Sequence, residues 1–329
     1  MSCPNLSGNA LTGLGAYQPS LVLTNDEICQ GIDTDSAWIV ERSGILERRW
    51  ADDKETLAVM GEAAARDAIT DSGIAPERID CVITTTSTYL NQFPALGPEI
   101  AARLELRNPA AFDLNAACSG FTHAVGMADS LISAGAAHHV LVVSTERLSD
   151  VTDPTDRKVA FLSGDGAGAV VVAPSGTGGI GPMIWGSDGE RRDYLQQGAS
   201  WPSARSSAVP QRLSWNMMGP ALFKWVAKNL PPVIEQALEA AGVRFHQIDA
   251  FVPHQANLRI IEALTARLPF REDLVVATTI TELGNSSSAS IPLALSWLRD
   301  REQLRSGQFV LLAGFGAGLS YAVQVVQIP

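Results

Sequence analysis

The 329-residue chain is 46% hydrophobic, long and apolar enough for two domains or one large one with a sizeable core. Its formal net charge of -11 argues against a nucleic-acid partner, which needs a dominant basic surface to release counterions. Residues 1–10 lack a basic stretch leading into an apolar one, and no apolar run reaches the ~18 residues of a membrane span, so a soluble cytoplasmic protein without a membrane partner is expected.

In chain order, a helix is expected over residues 56–72, a strand over 81–85 and a helix over 98–104. The apolar stretch 110–112 then reads as a strand that turns through Asp-Leu-Asn-Ala-Ala-Cys-Ser-Gly-Phe at 113–121. Phe121, Val125, Ala128, Leu131 and Ile132 recur at helical spacing, giving a helix over 119–134 with Cys118 at its first turn. Unpaired N–H groups and the positive end of the helix dipole stabilise a thiolate there, so a lowered thiol pKa and a nucleophilic role are expected. The alternative is an inert core cysteine. The four cysteines, Cys3, Cys29, Cys81 and Cys118, have neither metal-ligand spacing nor a dense pattern, so free thiols and no metal site are expected.

Strands follow at 139–144 and 167–173. Gly-Asp-Gly-Ala-Gly-Ala at 164–169 superficially resembles a dinucleotide-binding loop, but it runs into β-rich residues 169–172 rather than opening a helix, so a tight turn is expected. The glycine-rich segment 175–181 marks a boundary between residues 1–175 and 176–329. The polar stretch 191–210 reads as a lid or binding loop, or as a solvated excursion.

In the second part, helices are expected over 219–241, 257–268 and 290–299, with strands over 250–253, 274–279, 309–313 and 322–327. His254 then falls at a strand end, and Gly284-Asn285 lies between a strand and an apolar helix. Phe315-Gly316-Ala317-Gly318 is small enough for backbone N–H groups to approach a ligand. Alternating strands and helices argue for α/β sheets with helices on their faces. The carboxyl ends of such strands gather at one crevice, where Cys118, His254 and Asn285 can converge. The basic residues Arg42, Arg48, Arg49, Lys224, Lys228, Arg259 and Arg267 are either solvated faces or a patch for an acidic partner.

These motifs resemble the β-ketoacyl-acyl carrier protein synthase III family along nearly the whole chain. The likeness runs from Ala37-Trp38-Ile39-Val40-Glu41-Arg42 through Ala-Cys-Ser-Gly-Phe, Asp153-Pro154-Thr155-Asp156-Arg157, Gly-Asp-Gly-Ala-Gly and Pro253-His254-Gln255-Ala256-Asn257 to Gly284-Asn285 and Phe315-Gly316-Ala317-Gly318. The resemblance implies a thiolase-like α/β fold, two similar βαβα halves forming a layered α-β-α-β-α core, with the cysteine in residues 1–175 and the histidine and asparagine in 176–329. It implies a decarboxylating condensation that starts type II fatty acid synthesis. Cys118 takes an acyl group from acyl-CoA, His254 and Asn285 hold the enolate released from malonyl-acyl carrier protein, and the N–H groups of Cys118 and Ala317 form the oxyanion hole.

By the same resemblance Trp38 and Arg157 sandwich the CoA adenine, Arg42 contacts phosphate, and Phe223 and Asn257 join the substrate-binding set. Lys224, Arg259 and Arg267 receive an acidic carrier protein. Phe93 crosses a homodimer interface, although a core ring before a proline turn is the plainer reading of that residue. No cofactor is implied beyond the CoA thioester, which is a substrate. Three positions depart from the family pattern: Ser163 replaces an aromatic residue near the substrate tunnel, Pro220 an asparagine, and Ala317 a glycine. The first two imply an acyl pocket for something bulkier or more polar than acetyl. The alternatives are a polyketide starter-unit synthase, acyl transfer without carbon–carbon bond formation, a silent scaffold, and a cysteine hydrolase.

Overall fold

The computed structural model describes residues 4–207 and 213–329. Two sheets carry the architecture. The first has the strand order Asn9–Tyr17, Asp165–Pro174, Val140–Arg147, Cys81–Thr85, Ala110–Leu114. Its last three strands are parallel, and the first two run antiparallel to their neighbours. The second sheet repeats that order and those directions with Gly179–Ile180, Ser320–Gln327, Phe309–Gly316, Ile248–Pro253 and Val275–Val276. Ile184–Ser187 also pairs with Ser320–Gln327.

Two helices, Gly120–Ser133 and Ser290–Asp300, lie between the sheets. Their Phe121, Val125, Ile291 and Leu295 share one core with Ile83 and Val142 of the first sheet and Val252 and Leu312 of the second. Successive strand residues point to opposite faces, so Val82, Leu141 and Val143 meet the outer helix Leu57–Ser72 instead. The helices Gly219–Ala241 and Leu258–Thr265 cover the outer face of the second sheet. Because both faces of each sheet are covered, the central strands are unbroken apolar runs such as Val140–Val143, all completely buried.

Most expected elements appear within a few residues of their expected ends. The strand expected over 274–279 shrinks to Val275–Val276, because the chain turns into the helical segment Ile280–Leu283. Strand Asn9–Tyr17 was not expected, since its glycines hide the pattern. A Cβ on Gly13 would lie 2.6 Å from the Ser72 backbone nitrogen, so the glycine lets the outer helix press onto the strand. The loop expected over 191–210 contains a hairpin strand, Leu195–Gln197, and a helix, Trp201–Ser206; its residues 208–210 lie outside the described residues. Gly164–Ala169 runs into the strand Asp165–Pro174, as its sequence context requires.

Arg48 is not a surface cation. It is fully buried and donates to the Leu23 and Phe161 carbonyls and to Asn25 Oδ1. Burial lowers its pKa to about 10, which still leaves it protonated at neutral pH.

Candidate active site

Cys118 and Asn285 are held by turns of the same kind. After strand Ala110–Leu114, Asn115 Oδ1 accepts the Ala117 N–H at 3.1 Å, Ala117 takes φ 46°, and the short turn Ala117–Ser119 feeds helix Gly120–Ser133. In the other half Asn285 Oδ1 accepts the Ser287 N–H at 2.9 Å, Ser287 takes φ 48°, and the turn Ser287–Ala289 feeds helix Ser290–Asp300. An asparagine oxygen that captures the N–H two residues on stabilises such a bend. Cys118 therefore sits in the turn just ahead of the helix, not in its first turn.

His254 follows strand Ile248–Pro253, and its N–H donates to the Ala313 carbonyl at 2.9 Å on the neighbouring strand. Its ring meets Phe315 edge-on at 5.3 Å between centroids. Nδ1 lies 2.8 Å from Ser290 Oγ, which also accepts the Gln255 N–H at 3.2 Å. When the serine gives its proton to Nδ1, the imidazole proton sits on Nε2. The ring is buried, and burial pushes its pKa down to about 3, so it works as a neutral hydrogen-bond donor.

Cys118, His254 and Asn285 line one cavity of about 690 Å³, together with Trp38, Arg42 and Phe223. Cys118, Asn285, Ser287 and Ala317 also line a smaller chamber of about 220 Å³. Cys118 thus stands where the two meet. The Ser287 hydroxyl lies 3.5 Å from the sulfur, and the backbone N–H groups of Cys118 and Ala317 favour its thiolate form.

The expected low thiol pKa is corrected by the structure. Burial pushes the Cys118 thiol up to about 11, while Ser287 and the two backbone N–H groups pull only partly against it. At pH 7 the thiol is then predominantly protonated. Alkylation by iodoacetamide is accordingly expected to be slow at pH 7 and to climb steadily to pH 10. Rates that plateau below pH 8 would contradict this.

Sequence reasoning missed the group that braces the turn at Ser287–Ala289. Glu146 is fully buried and accepts from the Ser87 N–H at 3.0 Å, Thr88 Oγ1 at 2.7 Å and Ser288 Oγ at 2.7 Å. Ser87 Oγ in turn lies 3.2 Å from Ser287 Oγ. A carboxylate inside an apolar strand was the available signal. Removing it orphans several buried donors, so Glu146→Ala is expected to cost about 3 kcal/mol or more, measured by denaturant unfolding.

The outlying residues divide. Trp38, Arg42, Phe223, Asn257 and Arg259 line the large cavity. Asn257 also caps helix Leu258–Thr265, its Oδ1 accepting the Arg259 N–H at 2.8 Å. Arg157 lies directly over the Trp38 ring, 4.4 Å from its centroid, so the slot expected between them is closed and an adenine enters only if Arg157 swings away. Arg259 is not an idle cation, since it donates to the Val40 and Glu41 carbonyls and pairs with Glu262 at 2.8 Å. Arg267 donates to the Ala227 carbonyl at 2.6 Å. Exposed Lys224 borders a hollow shared with Arg191 and Lys228.

Phe93 is 85% exposed, which removes the core reading. Ser163 is completely buried and lines neither cavity; its hydroxyl is bonded to Thr152 Oγ1 at 2.5 Å. The expectation that it opens the tunnel wall is therefore wrong.

Two sheets with a shared order, enclosing two helices and flanked by others, with Cys118 and Asn285 on equivalent turns, define a thiolase-type condensing enzyme. Residues 112–189 match the family described as 3-Oxoacyl-[acyl-carrier-protein (ACP)] synthase III, and residues 238–328 match its C-terminal part. The chain is 46% identical to a Mycobacterium marinum protein named mycobacterial beta-ketoacyl-[acyl-carrier-protein] synthase III, over 98% of this chain and 97% of that one. It is 44% identical to the Streptomyces glaucescens beta-ketoacyl-[acyl-carrier-protein] synthase III, over 97% and 96% of the two chains. Among solved structures, the priming β-ketosynthase of the R1128 polyketide biosynthetic pathway superposes with a TM-score of 0.96 at 42% identity, covering 100% of this chain and 98% of that one. The chain belongs to the β-ketoacyl-acyl carrier protein synthase III family, acyltransferases that act as condensing enzymes.

Proposed function

We propose that this protein joins an acyl group from acyl-CoA to malonyl-acyl carrier protein with loss of CO2, starting type II fatty acid synthesis. The convergence of Cys118, His254 and Asn285 on one cavity, with two N–H groups at the sulfur, carries the reading. The thiol attacks the acyl-CoA carbonyl, the N–H groups of Cys118 and Ala317 hold the tetrahedral oxyanion, and CoA departs as the thiol with the cysteine's proton. Malonyl-acyl carrier protein then breaks its bond to CO2. The enolate oxygen receives hydrogen bonds from His254 Nε2–H and the Asn285 amide. The carbanion attacks the acyl thioester, and Cys118 leaves as a thiolate that recovers a proton from solvent.

Lys224 with neighbouring Lys228 supplies a cationic rim for an acidic carrier protein, by charge complementarity. The exposed Phe93 ring and the edge position of strand Ala110–Leu114 fit a homodimer, since an unpaired strand edge is a template for a second copy. The likeness to a priming ketosynthase supports a second reading, in which the carrier serves polyketide assembly; competition between the two kinds of carrier protein separates them.

Intact-protein mass spectrometry with acyl-CoAs, followed by malonyl-acyl carrier protein, tests the reaction. An adduct absent from Cys118→Ala and discharged with CO2 is expected. An adduct discharged without CO2 would make this a plain acyltransferase, and no adduct at all would overturn the reading.

A further inference from the structure

The chamber of about 220 Å³ on the inner side of Cys118 is walled by Leu90, Leu148, Val151, Leu195, Leu213 and Trp215. Trp215 and Leu195 belong also to the wall of the larger cavity, so they stand at the partition between the two. They lie on one hairpin, where Leu195–Gln197 pairs with Trp215–Met217.

The indole is not free to turn. Trp215 Nε1 donates to Thr152 Oγ1 at 2.9 Å. Thr152 spends its own proton on the Leu148 carbonyl at 2.6 Å, so Ser163, 2.5 Å away, must be the donor of their shared hydrogen bond. Both lone pairs of the threonine oxygen are then used, one by the indole and one by Ser163. Ser163 and Thr152 are both buried, and the Ser163 carbonyl accepts from Trp50 Nε1 at 2.9 Å. The serine that stands in place of an aromatic residue therefore completes a fully paired relay that locks a different ring into the chamber wall.

We infer that Trp215 limits the length of the acyl group that the chamber accepts, with Thr152 and Ser163 as its positioning residues. The chamber is smaller than the ~300 Å³ at which pockets for drug-sized ligands begin. Held by its hydrogen bond to Thr152, the indole narrows the chamber beside Cys118 rather than yielding to added methylenes. This inference rests on the proposed acylation of Cys118.

The test is competition among acetyl-, isobutyryl-, hexanoyl- and dodecanoyl-CoA for Cys118, read by mass spectrometry, in the parent, Trp215→Leu, Trp215→Phe, Thr152→Val and Thr152→Ser. Trp215→Leu is expected to raise the preference for dodecanoyl over acetyl at least ~10-fold, the scale of discrimination one or two methylenes provide. Thr152→Val, which takes away the indole's acceptor, shifts the ranking the same way by a smaller factor. Thr152→Ser keeps the hydroxyl and the parent ranking. Trp215→Phe retains a ring without its N–H and shifts the ranking even where the leucine variant fails to fold. An unchanged ranking in the folded Trp215 variants, with Cys118 still acylated, overturns the role of Trp215 alone. A parent enzyme that no acyl-CoA acylates overturns the proposed reaction and this inference together.

Discussion

Asn285→Asp is expected to leave acylation of Cys118 within about tenfold of the parent rate while cutting CO2 release from a malonyl thioester by roughly 10²–10³-fold. The substitution separates two jobs of one side chain. Asn285 Oδ1 accepts the Ser287 N–H at 2.9 Å and so shapes the turn that faces the sulfur, which an aspartate oxygen can do equally well. The amide NH2 is what the proposed mechanism aims at the enolate, and a carboxylate offers that anion no proton and a like charge instead. His254 cannot compensate by becoming cationic, because burial holds its pKa near about 3. Single-turnover acylation and release of labelled CO2, measured on the same preparation, decide the matter. Equal losses in both would show that the residue serves the turn and not the enolate.

Gly316→Ala is expected to lower acylation of Cys118 by about 10²-fold or more with the fold retained. A Cβ at that position would lie 2.6 Å from Cys118 Cβ and 3.0 Å from its Sγ, both closer than side chains pack. Gly316 ends the strand Phe309–Gly316, whose hydrogen bonds hold it in register with Ser320–Gln327. The cysteine turn has to move, carrying the sulfur away from the N–H of Ala317. Displacements near 1 Å cost reactions of this kind about two orders of magnitude. Melting temperature and acyl-CoA turnover distinguish the effect from unfolding, and acylation within threefold of the parent would mean that the two loops are not packed rigidly.

The comparison of sequence with structure turns on what each side chain needs from afar. Cys118, His254 and Asn285 were legible because each sits between an apolar strand and an apolar helix, a local pattern of period and small residues. The twin asparagine turns were not, since Asn115 and Asn285 announce them only once Ala117 and Ser287 are seen in the left-handed region. Phe93 read as an interface ring with a core ring as the alternative, and its exposure removes the core reading. Arg48 and Arg49 read as one basic patch, yet strand geometry buries the first completely and leaves the second only partly covered.

What the sequence determined by itself was the order of most strands and helices, the family, and three candidate site residues, because hydrophobic periodicity and turn chemistry act between near neighbours. The tertiary structure alone decided their physical state. The sulfur of Cys118 meets the hydroxyl of Ser287, 169 positions along the chain, and Glu146 is bonded to Ser288, 142 positions away. Desolvation and hydrogen bonding depend on such distant partners, so they determine that the thiol is protonated, that the imidazole is neutral, and that Ser163 braces Trp215 through Thr152 instead of opening the tunnel.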